Sequence, residues 1–453
     1  MHSSLSEIKA EVLGRIRPRP EERERLKEIS GRILLGAERL AAERGIDLKA
    51  MLVGSAARNT WLAQDHDLDL FLGVPESADL GEALEVARLI APEHEEKYAE
   101  HAYVHAKIDG FDVDLVPCYL VKDASRLKSA VDRTPFHTKY VSERIPGLED
   151  EVLLAKQFMK GVGVYGSELK VGGFSGYLTE LLIIYYGSFE KVLEAASGWR
   201  PGVLIDLEGR AAEERAAYTG REPLIVVDPV DPGRNVAAAL TPDRMLQFAA
   251  ASRCFLHHPN IDFFFPPSAK PLSDEELLGL LEARGSSLML LLLPAPSVVE
   301  DVLFPQLRKA EESVRALLEK NCFSLLRSDV GCVSGRAFLL FELEVSHLSR
   351  ASRRVGPPVW EADHLSRFLE AHPKPLSGPY IRDGRAVVEL CRSYTRPQDL
   401  LAAKIGGLSL GKHLSSAIRE GHNILVGPEI ASIKDEEFRA FLREYFEARN
   451  WIC

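Results

Sequence analysis

The sequence predicts a multidomain α+β protein: a mixed-sheet domain over residues 1–142, a helical central domain over 143–255, and a C-terminal α/β body with an inserted tail over 256–453. Three observations point there. At 453 residues the chain exceeds what one hydrophobic core usually serves, which suggests about two to four domains. Its apolar pattern changes along the chain from a helix followed by alternating strands, to spacings of three and four, and back to a mixture. A composition of 46% hydrophobic and 27% charged residues is ordinary globular usage, so disorder is not the main theme.

The elements follow in order. Leu26, Ile29, Ile33, Ala37 and Leu40 repeat at three and four residues, which predicts an amphipathic helix over 21–43. "LKAMLV" is a short apolar strand feeding Gly54-Ser55. Residues 67–73 alternate, with Asp67, Asp69 and Phe71 facing one way and Leu68, Leu70 and Leu72 the other. A helix is expected over about 79–91, and "AYVHAKIDGFDVDLVPCY" is a hairpin turned at Asp109-Gly110. From about 143 to 255 the pattern is helical, with a proline-bracketed loop before "NVAAALTPDRMLQFAAASRCFL", in which Asn235 begins the last helix. The third region is expected to hold a strand at 286–293, a helix at about 303–320, and strands at about 323–329 and 334–346, as a small β-α-β-β sandwich inserted before the strands of "GPYIRDGRAVVELCRSYTR".

Several function classes are disfavoured. The most apolar run, "SSLMLLLLP" at 286–294, is too short to span a bilayer, and the N-terminal stretch lacks the apolar segment of a secretory signal. A cytoplasmic protein with no membrane partner is expected. Cysteines at 118, 254, 322, 332, 391 and 453 form no C-x-x-C pair, which predicts reduced structural thiols. The net charge of −11 speaks against a nucleic-acid partner, unless local cations compensate. Arg350, Arg353 and Arg354 cluster, with Arg308, Lys309, Arg392, Arg396, Lys404 and Lys412 elsewhere in the C-terminal half; the alternative is a solvated charged face.

Asp67 and Asp69 stand on one face of a strand that is otherwise apolar. Unpaired, they would repel each other and cost several kcal/mol in desolvation, and a hard divalent cation removes that conflict. The hairpin strand "FDVDLV" offers Asp112 and Asp114 on one face as a third ligand, and periodicity does not choose between them. Carboxylates that share metal ions with phosphate oxygens are the arrangement of two-metal phosphoryl transfer. Gly54 and Ser55 suit a phosphate, since glycine permits close backbone approach and a serine hydroxyl donates to it.

The order apolar-Gly-Ser, then Asp-apolar-Asp, then apolar-Asp-apolar on a hairpin strand resembles the nucleotidyltransferase superfamily of the DNA-polymerase-beta type. At that level poly(A) polymerases, oligoadenylate synthetases, antibiotic nucleotidyltransferases and tRNA nucleotidyltransferases all remain open. "GSAARNTWL", "YAEHAYVHAKI", "VDLVPCY", "SAVDRTPFHTKYV", "GVYGSELKVGGFSGYLTELLI", "VVDPVDPGRNVAAAL" and "RRVGPP" together resemble the archaeal, class I CCA-adding enzymes over nearly the whole chain. That resemblance implies addition of C, C and A to a tRNA 3′ end from CTP and ATP, with Mg2+ and no nucleic-acid template. It implies Asp67, Asp69 and Asp114 as metal carboxylates, Gly54, Ser55 and Arg58 at the triphosphate, His137, Lys156 and Tyr165 as further nucleotide contacts, and Arg234 at the base. It also implies a homodimer, a helical neck over 143–255, and tRNA binding by 256–453.

Each residue has a plainer alternative. His137 could be a hydrogen-bonded loop histidine, Lys156 a solvated helix lysine, Tyr165 a core aromatic, and Arg58 an ion-pair partner. Arg234 could pair with Asp228 or Asp231 in a tight loop ahead of a helix capped by Asn235. Two other functions compete: a different template-independent enzyme, such as a poly(A)-adding one, and a catalytically inactive RNA-binding scaffold.

Overall fold

In the computed structural model, which describes residues 5–63, 65–98, 100–210 and 220–447, the chain opens with helices α1 (Leu5–Ile16) and α2 (Pro20–Glu43). The second is the expected amphipathic helix, with Ile29, Ile33, Ala37 and Ala41 buried at a spacing of four. The first was not anticipated, although Ile8, Val12 and Ile16 bury one stripe at the same spacing.

Next come β1 (Lys49–Leu52), α3 (Gly54–Arg58), β2 (Asp67–Pro75), α4 (Leu80–Ile90), β3 (Glu95–Tyr98), β4 (Ala102–Ile108) and β5 (Phe111–Leu120). The five strands form one mixed sheet in the order β1-β2-β5-β4-β3, in which only β2 and β5 pair in parallel. Leu68, Leu70 and Leu72 join α2 and α4 in one core, so β2 turns its aspartates the other way. Asp109 (φ 49°) and Gly110 (φ 86°) make the two positive-φ positions that a tight hairpin turn requires. The short edge strand β3 had no alternation strong enough to announce it.

The chain continues through α5 (Thr134–Ser142), α6 (Glu149–Gly161), α7 (Gly176–Tyr186), α8 (Phe189–Ser197), β6 (Val203–Asp206), β7 (Leu224–Val227) and α9 (Pro242–His257). Helix-on-helix packing centres on Phe158, whose ring lies 5.3 to 6.0 Å from those of Phe189, Phe248, Phe255, Phe263 and Phe264. Two details differ from expectation. The proline-bracketed loop contains a parallel pair, β6 and β7. Asn235 does not cap a helix: its side-chain oxygen accepts from the backbone N–H of Val226 and of Ala237, both at 2.9 Å, and α9 starts after Thr241, whose side chain accepts from Arg244 N.

The chain divides into two compact units between Pro267 and Ser268. The second contains α10 (Asp274–Arg284), β8 (Ser287–Pro294), α11 (Glu300–Lys320), β9 (Leu325–Val333), β10 (Arg336–Leu343), β11 (Ala351–Pro358), α12 (Ala362–Ala371), β12 (Ser377–Arg382), β13 (Arg385–Cys391), α13 (Pro397–Lys404), α14 (Lys412–Glu420), β14 (Asn423–Val426) and α15 (Glu436–Glu447). A four-stranded sheet, β14-β8-β10-β9, is its body. The leucine run of β8 is buried on both faces: Met289, Leu291 and Leu293 pack in the cluster that includes α11, and Leu288, Leu290 and Leu292 in the one that includes α10 and α15. The expected β-α-β-β order is present, and it belongs to the body and is not itself inserted. It is the sheet β11-β13-β12 that interrupts the body, between β10 and β14.

Cys118, Cys322, Cys332 and Cys391 are free thiols, as expected, whereas Cys254 is disulfide-bonded, and Cys453 lies outside the described residues. Among the described residues, no helix is long and apolar enough to cross a membrane.

Candidate active site

The acidic face of the N-terminal sheet is set by register. Parallel pairing of β2 and β5 puts Asp67 opposite Asp112 and Asp69 opposite Asp114. Burial pushes the Asp69 carboxyl up to about 6, with Asp114 and then Asp67 adding to the rise and Arg58 opposing it. Asp67 is raised as well, by burial first and then by Asp65, Asp112 and Asp114. Asp114 is thus the hairpin carboxylate that acts on Asp69, and Asp112 faces the more exposed Asp67.

These residues suit a hard divalent cation. The donors are all oxygen, and each carboxylate raises its neighbour's affinity for positive charge. As the side chains stand, no three His, Cys, Asp or Glu residues close round one point among the described residues. Asp114 Oδ1 is instead 2.6 Å from Nδ1 of His105, the residue across from it on β4. Gly54 (φ +70°) completes the floor: a Cβ there would lie 2.2 Å from Asp69 Oδ2, so only glycine leaves that carboxylate its place. Ser55 follows it in the single helical turn α3.

At the end of α3, Arg58 reaches a buried network. Arg58 donates from Nε to Glu180 Oε1 at 3.0 Å, its Nη2 is 2.9 Å from Oε2, and Nη1 donates to Thr138 Oγ1 at 3.2 Å. The ion-pair role weighed for Arg58 is therefore present. Glu180 on α7 has 0% exposure and also accepts from Thr60 Oγ1 at 2.5 Å. Lys156 is not solvated, contrary to the plainer alternative: it is buried on α6, and its Nζ donates to Thr60 O at 2.7 Å. Burial lowers its pKa to about 8, against the pull of Glu180. Tyr165, whose hydroxyl burial raises well above its ordinary value, meets Lys156 at the first turn of α7: a Cβ on Gly176 would lie 3.1 Å from the tyrosine hydroxyl and 3.7 Å from Lys156 Nζ.

A third group gathers on Asp228, just past β7. His137 Nε2 and Arg234 Nη1 each lie 2.9 Å from Asp228 Oδ2, and the His137 ring stacks on Tyr177 at 4.1 Å. The loop pairing weighed for Arg234 is thus seen with Asp228, while Asp231 pairs with Arg133 at 2.9 Å. His137 lies on α5 and not in a loop.

Sequence reasoning missed Glu180, Thr60, Tyr177 and His105, and named Asp228 only as a loop partner. Glu180 had a signal: it is the one charged residue in the apolar run "YLTELLIIYY", and a charge in a helix that is apolar all round implies a buried partner. His105 had none before strand register was known.

A mixed sheet with paired aspartates behind a glycine turn, next to buried cations at a helix N-terminus, defines a nucleotidyltransferase. The family profile described as "Nucleotidyltransferase domain" matches residues 36–137, "tRNA nucleotidyltransferase, second domain" matches 150–265, and "CCA-adding enzyme, C-terminal domain" matches 284–427. The CCA-adding enzyme of Methanosarcina mazei is 43% identical over 98% of this chain and 99% of its own length. That of Methanothermobacter thermautotrophicus is 42% identical over 95% and 96%. The chain belongs to the CCA-adding enzyme family. Among solved structures, the Cid1 poly(U) polymerase aligns with a TM-score of 0.47 at 16% identity, over 58% of this chain and 99% of its own.

Proposed function

We propose that this protein adds C, C and A to the 3′ end of tRNA from CTP and ATP, without a nucleic-acid template and with release of pyrophosphate. The observation that carries this is the in-register pair Asp69 and Asp114 behind the Gly54 turn, in a chain whose full-length relatives are CCA-adding enzymes. Asp67, Asp69 and Asp114 are the residues that would hold Mg2+, which would lower the pKa of the attacking 3′-hydroxyl and neutralise charge on the leaving pyrophosphate.

The protein's own groups do the rest. Ser55 and the backbone of α3 donate to phosphate oxygens. Lys156, Tyr165 and the first turn of α7, capped by Ser175, offer a second set of donors, where an ammonium and a helix N-terminus favour anionic charge. Arg58 contributes positive charge beside Asp69 while Glu180 fixes its direction. His137 and Arg234 face the nucleoside. Arginine only donates, so it fits the ring-nitrogen acceptor of C and A and opposes the N–H that U and G carry at that position. Residues 1–142 are the catalytic head, 143–255 a neck and 256–453 the body and tail that grip tRNA; a cytoplasmic homodimer completes the reading.

The deciding experiment incubates the protein with tRNA lacking CCA, Mg2+ and each labelled nucleotide separately. Incorporation of CTP first, and of ATP only onto tRNA ending in CC, supports the proposal. ATP-only incorporation, or equal use of RNA without a tRNA fold, would instead indicate a poly(A)-adding activity. No incorporation would favour a scaffold. Sedimentation of the purified protein reports whether it is a dimer.

A further inference from the structure

Asp228 stands where the first unit's chain leaves β7, and its carboxylate has 0% exposure. Four donors from different parts of the chain converge on it. His137 Nε2 on α5 and Arg234 Nη1 lie 2.9 Å from Oδ2, the Tyr177 hydroxyl on α7 donates to Oδ1 at 3.3 Å, and the Val230 N–H donates to the same oxygen at 3.0 Å. Burial alone would favour the neutral acid, but the hydrogen bond and charge of His137, the Val230 N–H and the charge of Arg234 outweigh it and hold the carboxyl below its ordinary range.

An ionised carboxylate only accepts, so the proton on the Asp228 side of the imidazole must be on His137 Nε2. That leaves Nδ1 as the ring's remaining hydrogen-bonding site, and the stacked Tyr177 fixes the ring plane. Arg234 is tethered by Nη1 while its side chain remains 37% exposed, which leaves the rest of the guanidinium for a ligand. The Arg234 N–H donates to Asp231 O at 2.9 Å and the Asp228 N–H to Arg234 O at 3.1 Å, which also holds the backbone of the loop. A long side chain without such a tether could swing to meet the carbonyl oxygens of U or G and so accept them. Tethered, it cannot follow.

We propose that Asp228 is the positioning residue for nucleotide selection, which fixes the tautomer of His137 and the aim of Arg234 so that C and A are accepted over U and G. This rests on the reading of Arg234 as the base contact. The alternative is that Asp228 merely closes a loop.

Single-nucleotide extension of tRNA ending in CC and of tRNA ending before CCA, with all four nucleotides, separates the two for the parent, Asp228→Asn, Arg234→Ala and the double variant, with thermal melting as a check on folding. Asp228→Asn should raise UTP and GTP use relative to CTP and ATP by about tenfold, and adding Arg234→Ala should relax selection no further, since both changes remove one constraint. Tyr177→Phe removes only a hydroxyl from the same carboxylate, keeps the ring stack and should shift selection in the same direction by a smaller factor. It serves if Asp228→Asn does not fold. Equal loss with all four nucleotides in Asp228→Asn, or parental selectivity in both Asp228→Asn and Tyr177→Phe while Arg234→Ala loses it, would overturn the proposal and leave the base-contact reading standing. Parental selectivity in Arg234→Ala itself would remove that reading, and the proposal with it.

Discussion

At Asp69 the proposed role in holding a metal ion is set against the stability of the N-terminal sheet. Burial pushes its carboxyl up to about 6 in the folded chain, above the ordinary aspartate range, so the native state keeps its proton to higher pH than the unfolded one. Stability contributed by this group therefore falls as pH rises from about 4 to about 6 and stays reduced above that. A rise of that size corresponds to about 3 kcal/mol. In chelator at pH 8, Asp69→Asn should melt several degrees above the parent, with the difference vanishing near pH 4. Added Mg2+ should stabilise the parent and not the variant, while the variant loses CTP and ATP incorporation alike, by about 100-fold or more. A parent that melts at one temperature with and without the ion would sink the metal assignment.

At the scale of elements, α3 and α7 are joined by a charge pair that water barely reaches, Arg58 at 7% and Glu180 at 0% side-chain exposure. One hydrogen bond, from Arg58 Nε to Glu180 Oε1, and a close approach of Nη2 to Oε2 offset the desolvation of the two ions, and Thr60 and Thr138 take up further hydrogen-bonding capacity. Glu180→Gln keeps the shape and removes the charge, leaving Arg58 uncompensated, and loss of one partner of a buried pair costs about 3 to 5 kcal/mol. The expected result is a markedly lower melting temperature for the transition of the first unit. Nucleotide KM should rise as well, because Arg58 loses its fixed direction. Unchanged stability would mean that solvent reaches the pair.

Across the whole molecule the question is how a chain of net charge −11 holds a polyanion. Arg353 and Arg354 are exposed on β11, paired across the strand with Glu389 and Val388 of β13, so one sheet edge presents cations locally while the global balance is acidic. Reversal of both to glutamate should weaken tRNA binding and lower the slope of log affinity against log salt by about 2 or more. Extension of a minimal acceptor-end mimic should suffer less. An unchanged slope would place the phosphate-binding surface elsewhere.

Much of what depends on residues close together in the chain was legible in the sequence, α1 and the cap of α9 excepted. Alternation by two placed Asp67 and Asp69 on the face opposite the leucines, Asp109-Gly110 announced its hairpin, and spacings of three and four marked α2 and the central helices, because side-chain direction in these elements follows from backbone period alone. Whatever depends on distant residues was not. Only the parallel register of β2 and β5 set Asp114, not Asp112, against Asp69. Only packing joined Arg58 to Glu180, 122 residues away, and His137 to Asp228, 91 residues away. β14 completes the body sheet beside β8 across the whole inserted β11-β13-β12 sheet, a pairing chosen by the two buried faces of a leucine-rich strand rather than by any local signal. A buried charge reveals from sequence that it needs a partner, but which residue answers is decided by the fold that brings the two together.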